Sequence, residues 1–233
     1  ASTSPGAGIT WKQPVDNAMD ARFSVSTSYN SSNGTKSNPN SGGIGSNNAA
    51  SRWNTQIAYG NPQWNISAIY RYSTAKGAKG YSTPSSLSYD TANQFALRGW
   101  WQPKKSGFIP SFSIGWGLSD FNDRDNKAGG TKQSWFVGMN WKDAFIKGNL
   151  LGFAIAQPEF ITSTDAAGEP ADGNYAMELY YQFQVTDNIS VTPAVFYLSR
   201  PYGEKTGTSA AYGGTNADSF NIFGYLVKTT FRF

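Results

Sequence analysis

Bulky or apolar residues alternate with smaller or polar residues along most of the chain, which is the pattern of β-strands with one apolar face. The end of the chain illustrates this pattern. From Phe223 to Phe233, every second residue is bulky or apolar, except for Thr229. Helical periodicity is almost absent, so the chain is predicted to be all-β. The alternation predicts about ten strands, near residues 20–29, 51–59, 63–73, 92–102, 109–119, 133–142, 149–157, 174–185, 189–199 and 219–233.

The connections between these strands alternate between long and short. The long ones are 30–50, 74–91, 120–132, 158–173 and 200–218, and the short ones are 60–62, 103–108, 143–148 and 186–188. Outer-membrane barrels sort their connections in this way, with tight periplasmic turns and long outer loops. A soluble β-sandwich has no reason to do so. The pattern predicts an antiparallel transmembrane β-barrel with a periplasmic C-terminus.

The segment 8–14 has two interpretations. The order Gly8-Ile9-Thr10-Trp11 followed by Pro14 fits the end of a further strand and a turn. A tail that precedes the first strand is the alternative. The residues alone favour neither.

Large aromatic residues concentrate near the ends of the predicted strands, on the apolar face. Rings with one polar edge suit the headgroup level of a bilayer. The alternative is an aromatic core in a soluble sandwich. The residues predicted to form the girdle are Trp53, Trp64, Trp101, Trp135, Trp141, Phe231 and Phe233.

The opposite face is polar and carries nearly all the long cationic side chains of the strands. A cation on the lipid side would cost roughly 2–4 kcal/mol at the bilayer midplane, whereas a lumen position avoids that cost. An excess of cations would raise the local anion concentration, unless some arginines pair with acids such as Glu178 or with loop carboxylates. The residues predicted to line the pore are Arg22, Arg52, Arg71, Arg98, Glu178, Gln182 and Lys228.

The composition removes most catalytic chemistry. The chain has no cysteine and no histidine, so it lacks the usual thiolate or imidazole metal ligands and a histidine base. Asp120, Asp123 and Asp125 do not have the spacing of a calcium loop. A net charge of +4 without a dense Lys/Arg run argues against nucleic-acid binding. No enzyme activity, metal or cofactor is therefore predicted.

The last 100 residues or so resemble a known family. The similarity is carried by 135–141 (WFVGMNW), 147–152 (KGNLLG), 156–158 (AQP) and above all 180–193 (YYQFQVTDNISVTP). These segments resemble the cyanobacterial members of the OprB-like carbohydrate-selective porins, which are also described as iron-uptake porins. The first 130 residues match only in their general barrel style.

The resemblance implies a homotrimer of barrels with about sixteen strands in the cell outer membrane. It also implies a signal peptide and an S-layer-homology domain that binds peptidoglycan-linked polysaccharide. Residues 1–233 are therefore expected to be a single barrel domain that lacks these N-terminal parts and the first strands.

Three functional hypotheses follow. The first is passive diffusion of small hydrophilic solutes or inorganic ions through a mildly basic lumen. The second is a non-conducting outer-membrane protein for adhesion, wall anchoring or phage attachment, and the third is a soluble β binding module. Whether the natural permeant is a sugar, an inorganic ion or iron stays open.

Overall fold

The part of the chain that the structure describes is all-β and forms eleven strands. The computed structural model describes residues 4–46, 49–79, 88–105, 107–122, 129–164, 173–201, 203 and 220–232. The strands are β1 (Gly6–Lys12), β2 (Arg22–Ser31), β3 (Ser51–Asn61), β4 (Trp64–Lys79), β5 (Ser88–Trp101), β6 (Ser111–Asn122), β7 (Gly130–Lys142), β8 (Leu150–Thr164), β9 (Tyr175–Thr186), β10 (Ile189–Ser199) and β11 (Asn221–Phe231).

All eleven strands belong to one antiparallel sheet, and each is hydrogen-bonded to the next along the chain, from β1 to β11. This meander confirms the predicted all-β class and its antiparallel pairing. Within the described ranges, no helix is long and apolar enough to cross a membrane.

The first strand settles the two interpretations of the N-terminal segment. Residues Gly6 to Lys12 pair with β2 in register, from Gly6 opposite Asn30 to Lys12 opposite Ser24. The strand interpretation is therefore confirmed and the tail is wrong. The prediction of about ten strands is confirmed, and the additional strand is β1, whose seven residues offer few alternating positions without their partner.

The contacts divide the chain into two compact units. The first unit comprises Ala1–Arg98, Trp116–Gln133 and Ile161–Pro170. The second comprises Gly99–Gly115, Ser134–Phe160 and Ala171–Phe233. The strands β1 to β4 thus lie wholly in the first unit, and β9 to β11 lie in the second.

Several strands are longer than the alternation predicts. β4 and β8 extend to Lys79 and Thr164, β6 extends to Asn122, β5 begins at Ser88, and β7 begins at Gly130. The strict alternation of long and short connections is therefore wrong in the middle of the chain, where predicted loop residues are strand. The two shortest turns, 62–63 and 187–188, are where they were predicted.

Polar side chains and one small cluster stabilise the strand extensions in the first unit. The hydroxyls of Thr131 and Thr162 lie 2.7 Å apart. Beside them, Ala92, Phe121 and Ile161 form a buried apolar cluster. Backbone pairing needs no apolar alternation when side chains bond in this way, so an apolar count misses such segments.

In the second unit, aromatic rings on the polar face cover glycines of the neighbouring strand. A Cβ added at Gly152 would overlap the ring of Tyr180, which lies directly opposite it. The same relation holds for Gly224 and Phe196. A ring over a glycine protects the backbone and fills the space left by the missing side chain. Glycine is required at these two positions because the ring on the neighbouring strand lies too close to the backbone for a Cβ atom.

We predict that Gly152→Ala destabilises the sheet, because the added methyl group forces the Tyr180 ring out of its site. Such overpacking costs about 1–3 kcal/mol. Thermal unfolding of the detergent-solubilised protein measures the change. Gly107→Ala is the matched control, because no atom lies within 4 Å of a Cβ at Gly107. Equal midpoints for the two variants would contradict the packing role.

Candidate pore-lining face

The cross-strand register of the first unit brings the predicted apolar residues together on one face. Val25 pairs with Ile57, and Tyr29 pairs with Trp53, which pairs in turn with Tyr72 on β4. Trp53 and Ile57 are each 52% exposed. Large apolar side chains exposed along a whole sheet face indicate contact with lipid or another apolar surface.

The second unit has the same arrangement. Leu179 lies between Phe153 of β8 and Val195 of β10, and Val195 lies opposite Tyr225 of β11. Among the described residues, the buried apolar side chains are few and mostly alanine. A soluble sandwich would bury its large apolar residues between two sheets, so the soluble alternative does not fit this burial.

The girdle residues lie on the apolar face at both ends of the strands. Trp53 is near the start of β3, and Trp64 and Trp101 are the first residue of β4 and the last of β5. Trp141 lies near the end of β7, and Phe231 ends β11. Their role at the headgroup level stays a prediction.

Two of the girdle predictions need comment. Trp135 lies inside β7, not at its end, because β7 begins at Gly130. Its indole donates a hydrogen bond to Gln157 Oε1 at 3.0 Å. Phe233 lies outside the described residues.

The predicted arginines of the first unit lie on the polar face. Arg52 is opposite Asn30 and Ser73, and Arg22 is opposite Gly60. Arg98 follows the exposed Leu97 in β5, so the strand alternation places it on the other face. All these arginines are exposed.

Arg71 is part of a hydrogen-bonded chain across three strands. Its Nε–H donates to Asn54 Oδ1 at 2.6 Å, and Asn54 Nδ2 donates to Ser28 Oγ at 3.3 Å. The residues lie directly opposite one another, as Arg71 to Asn54 and Asn54 to Ser28. The chain orients the guanidinium through a neutral amide, so this contact leaves its positive charge uncompensated.

A polar groove of about 460 Å³ surrounds this chain of hydrogen bonds in the first unit. Six of its ten lining residues carry hydroxyl or amide groups, which suit hydrogen bonding to a hydrated or hydroxylated solute, and apolar surface lies beside them. The groove is lined by Gly8, Ile9, Thr10, Ser26, Thr27, Ser28, Asn54, Gln56, Ile69 and Arg71.

The predicted pore-lining residues of the second unit share its polar face. Glu178 lies between Ala154 and Phe196 on the neighbouring strands. Gln182 is opposite Leu150, and Lys228 is opposite Thr192. Neither neighbouring strand places an arginine opposite Glu178. The carboxylate that was considered as a partner for the arginines therefore has no arginine as a cross-strand neighbour.

Sequence reasoning missed the aromatic contribution to this polar face. The Tyr180 hydroxyl donates to Asn140 Oδ1 at 2.6 Å, and Phe196 and Phe136 cover Gly224 and Gly115. The signal was present as bulky residues at polar-face positions. Without the register, nothing connected them with glycines on the next strand.

The described ranges contain no cluster of side chains that could hold a metal ion. Within them, no group of three or more metal-ligating side chains comes together. Asp120 accepts a hydrogen bond from Asn122, whereas Asp123 and Asp125 lie outside the described residues. The polar face therefore offers hydrogen bonds and charge.

Comparison with known families assigns this architecture. The family model described as carbohydrate-selective porin, OprB family, matches residues 1–233. The chain belongs to the OprB porin family. This confirms the resemblance read from the sequence.

Two curated relatives are also similar to this OprB-family chain, and both are uncharacterized. A protein of Nostoc sp. is 32% identical over 146 residues, which cover 59% of this chain and 23% of that protein. A protein of Synechocystis sp. is 29% identical over 129 residues, which cover 50% of this chain and 22% of that protein. The chain thus spans less than a quarter of the length of either. No solved structure shows a significant match.

The two-faced sheet of this OprB-family chain makes a test with neighbouring residues possible. We predict that Ile57→Lys impairs folding in lipid by roughly 2–4 kcal/mol, because it places a cation on the apolar face. Gln56→Lys, one residue earlier on the polar face, should change stability little. Denaturant unfolding of liposome-reconstituted protein measures both. Equal losses would contradict the assignment of the faces.

Proposed function

We propose that this chain forms part of the wall of an outer-membrane channel. Small hydrophilic solutes, above all carbohydrates, diffuse through this channel passively. The observation that carries the proposal is the division of one sheet into an exposed apolar face and a polar face with arginines. The apolar face suits contact with lipid and the polar face suits contact with water, as the strands of a transmembrane barrel require. Membership of the OprB family supports carbohydrates as the solute class.

The polar face would act by replacing part of the solute's hydration. Ser28, Asn54 and Gln56, which line the groove, offer hydroxyl and amide groups to a passing sugar. Binding that is weak and repeated at several sites lets a solute enter and also leave. No bond is made or broken, so the residues contribute hydrogen bonds and charge only.

Liposome swelling and planar-bilayer conductance of the full-length protein test this proposal. Discrete channels, together with swelling in isotonic monosaccharide, are the expected result. Protein-free and heat-denatured samples are the controls. Membranes that stay closed to ions and sugars would contradict the proposal and favour the non-conducting alternative. Conductance without sugar entry would favour inorganic ions.

We further propose that the lumen favours anions. Arg71 has the neutral Asn54 as its hydrogen-bond partner, and Glu178 has Ala154 and Phe196 as cross-strand neighbours. These contacts leave the cationic charge of the wall available to a passing ion. A charged wall raises the concentration of the opposite ion beside it.

We predict that reversal potentials in a salt gradient indicate anion preference and that Arg71→Glu or Arg98→Glu reduces it. Each change reverses one charge. The interaction energy between a unit charge and a monovalent ion 4 Å away in water is roughly 1 kcal/mol. Lys36→Glu, at an exposed position of the β2–β3 connection, is the control for net charge. A cation preference in the unaltered channel, or an equal effect of Lys36→Glu, would refute this part.

We also infer the setting of the channel from the resemblance. It includes a homotrimer and attachment to peptidoglycan-linked polysaccharide through a further domain of the whole protein, and to these we add the periplasmic C-terminus predicted from the connections. Cross-linking in native membranes would test the trimer, and protease accessibility would test the orientation. These features are independent of the diffusion test.

A further inference from the structure

Two turns of the second unit expose large apolar side chains. The β5–β6 connection carries Phe108 and Ile109, and the β7–β8 connection carries Phe145 and Ile146. Phe108 is 96% exposed and Phe145 is 88% exposed, and both isoleucines are exposed as well. Turns of this kind are normally polar, so the two apolar pairs need an explanation.

The second of these turns is built to present its apolar pair. Asp143 and Phe145 adopt positive φ angles of 56° and 62°, which bulky residues rarely do. The Gly148 N–H donates to Asp143 Oδ1 at 2.7 Å, and the Tyr181 hydroxyl donates to the Ala144 carbonyl at 2.6 Å. An unusual backbone fixed by such contacts indicates a functional constraint.

Both turns continue the apolar face of the sheet. The Phe145 ring lies 6.0 Å from the ring of Tyr181, which lies 4.6 Å from Phe183 on the same face. The indole of Trp141 donates to the carbonyl of Phe108 at 2.9 Å. Because Trp141 and Tyr181 belong to the apolar face, the surface that meets lipid extends beyond the strand ends.

Cationic residues accompany the apolar pairs. Lys104 and Lys105 precede Phe108 in one turn, and Lys147 follows Ile146 in the other, and all three lysines are exposed. Apolar side chains beside lysines suit the boundary between acyl chains and phosphate groups. A purely aqueous setting would explain the lysines but leave the apolar pairs unexplained.

We propose that Phe108, Ile109, Phe145 and Ile146, with these three lysines, form a membrane-anchoring turn patch. The apolar side chains enter the outer part of the acyl layer of one phospholipid leaflet, and the lysines bind lipid phosphates. Continuity with the apolar face and the local positive charge favour lipid over a second copy of the chain. The proposal rests on the membrane placement in the proposed function.

Site-directed fluorescence of the full-length protein in lipid nanodiscs tests the turn patch. An environment-sensitive label is attached to a single cysteine at Ile109→Cys or Ile146→Cys, on a background without other cysteines. Ile57→Cys marks the apolar strand face, and Gln56→Cys marks the polar face. A spin label near the lipid headgroup and aqueous iodide serve as the two quenchers.

We expect the labels at positions 109 and 146 to be quenched by the lipid spin label and protected from iodide. The label at position 57 should behave in the same way, whereas the label at position 56 should be quenched by iodide. Quenching by iodide alone would overturn the proposal. Protection from both quenchers would identify a second protein surface as the occupant and would overturn it too. If the label at 57 also fails to meet lipid, the membrane placement itself is wrong.

The lysines have a separate readout. We expect Lys104→Glu, Lys105→Glu and Lys147→Glu each to weaken binding of phosphatidylglycerol by about five-fold, measured as lipid retained by the purified protein. Lys36→Glu is the matched control outside the turn patch. Lipid retention unchanged in all three variants would contradict phosphate binding.

Discussion

A slip of one residue between neighbouring strands would exchange the two faces of this sheet. Arg71 lies opposite Asn54, and the neighbouring Tyr72 lies opposite Trp53. Shifted by one position, the guanidinium would lie among the rings of the apolar face, which on a lipid-facing surface costs roughly 2–4 kcal/mol near the midplane. Every function proposed for the chain depends on this register. In the proposed function, the apolar face meets lipid and the polar face lines the path of the solutes.

The register has local causes as well as this global one. Asn61 Oδ1 accepts hydrogen bonds from the backbone N–H groups of Gln63 and Trp64. These two hydrogen bonds fix the tight turn between β3 and β4. Tyr180 over Gly152 and Phe196 over Gly224 allow one pairing only, because a slip would place the ring against a side chain. Ring contacts on the apolar face, such as Phe23 with Tyr59 at 4.4 Å, join strands at the same level. The two faces are therefore held by contacts on both sides of the sheet.

Much of this architecture could be predicted from the sequence because alternation is a local property. The faces of Ile57 in β3 and Arg71 in β4 each follow from the residue's position within its own strand. Strand ends such as Thr131 and Thr162 could not be predicted in the same way, because the hydroxyl contact that joins them links residues 31 positions apart in the sequence. The Asn54 partner of Arg71 also depends on register. The turn that holds Phe145 at a positive φ also accepts a hydrogen bond from Tyr181, which lies far along the chain.

The central claim is that alternate residues of each strand meet water and lipid in the assembled protein. Cysteine substitution at positions 52–59 of β3, one at a time, tests it most directly in reconstituted membranes. A charged, membrane-impermeant thiol reagent should modify the variants at Arg52, Asn54 and Gln56, whereas those at Trp53, Thr55 and Ile57 should stay unmodified. Modification at every position, or at the odd-numbered positions only, would contradict the account.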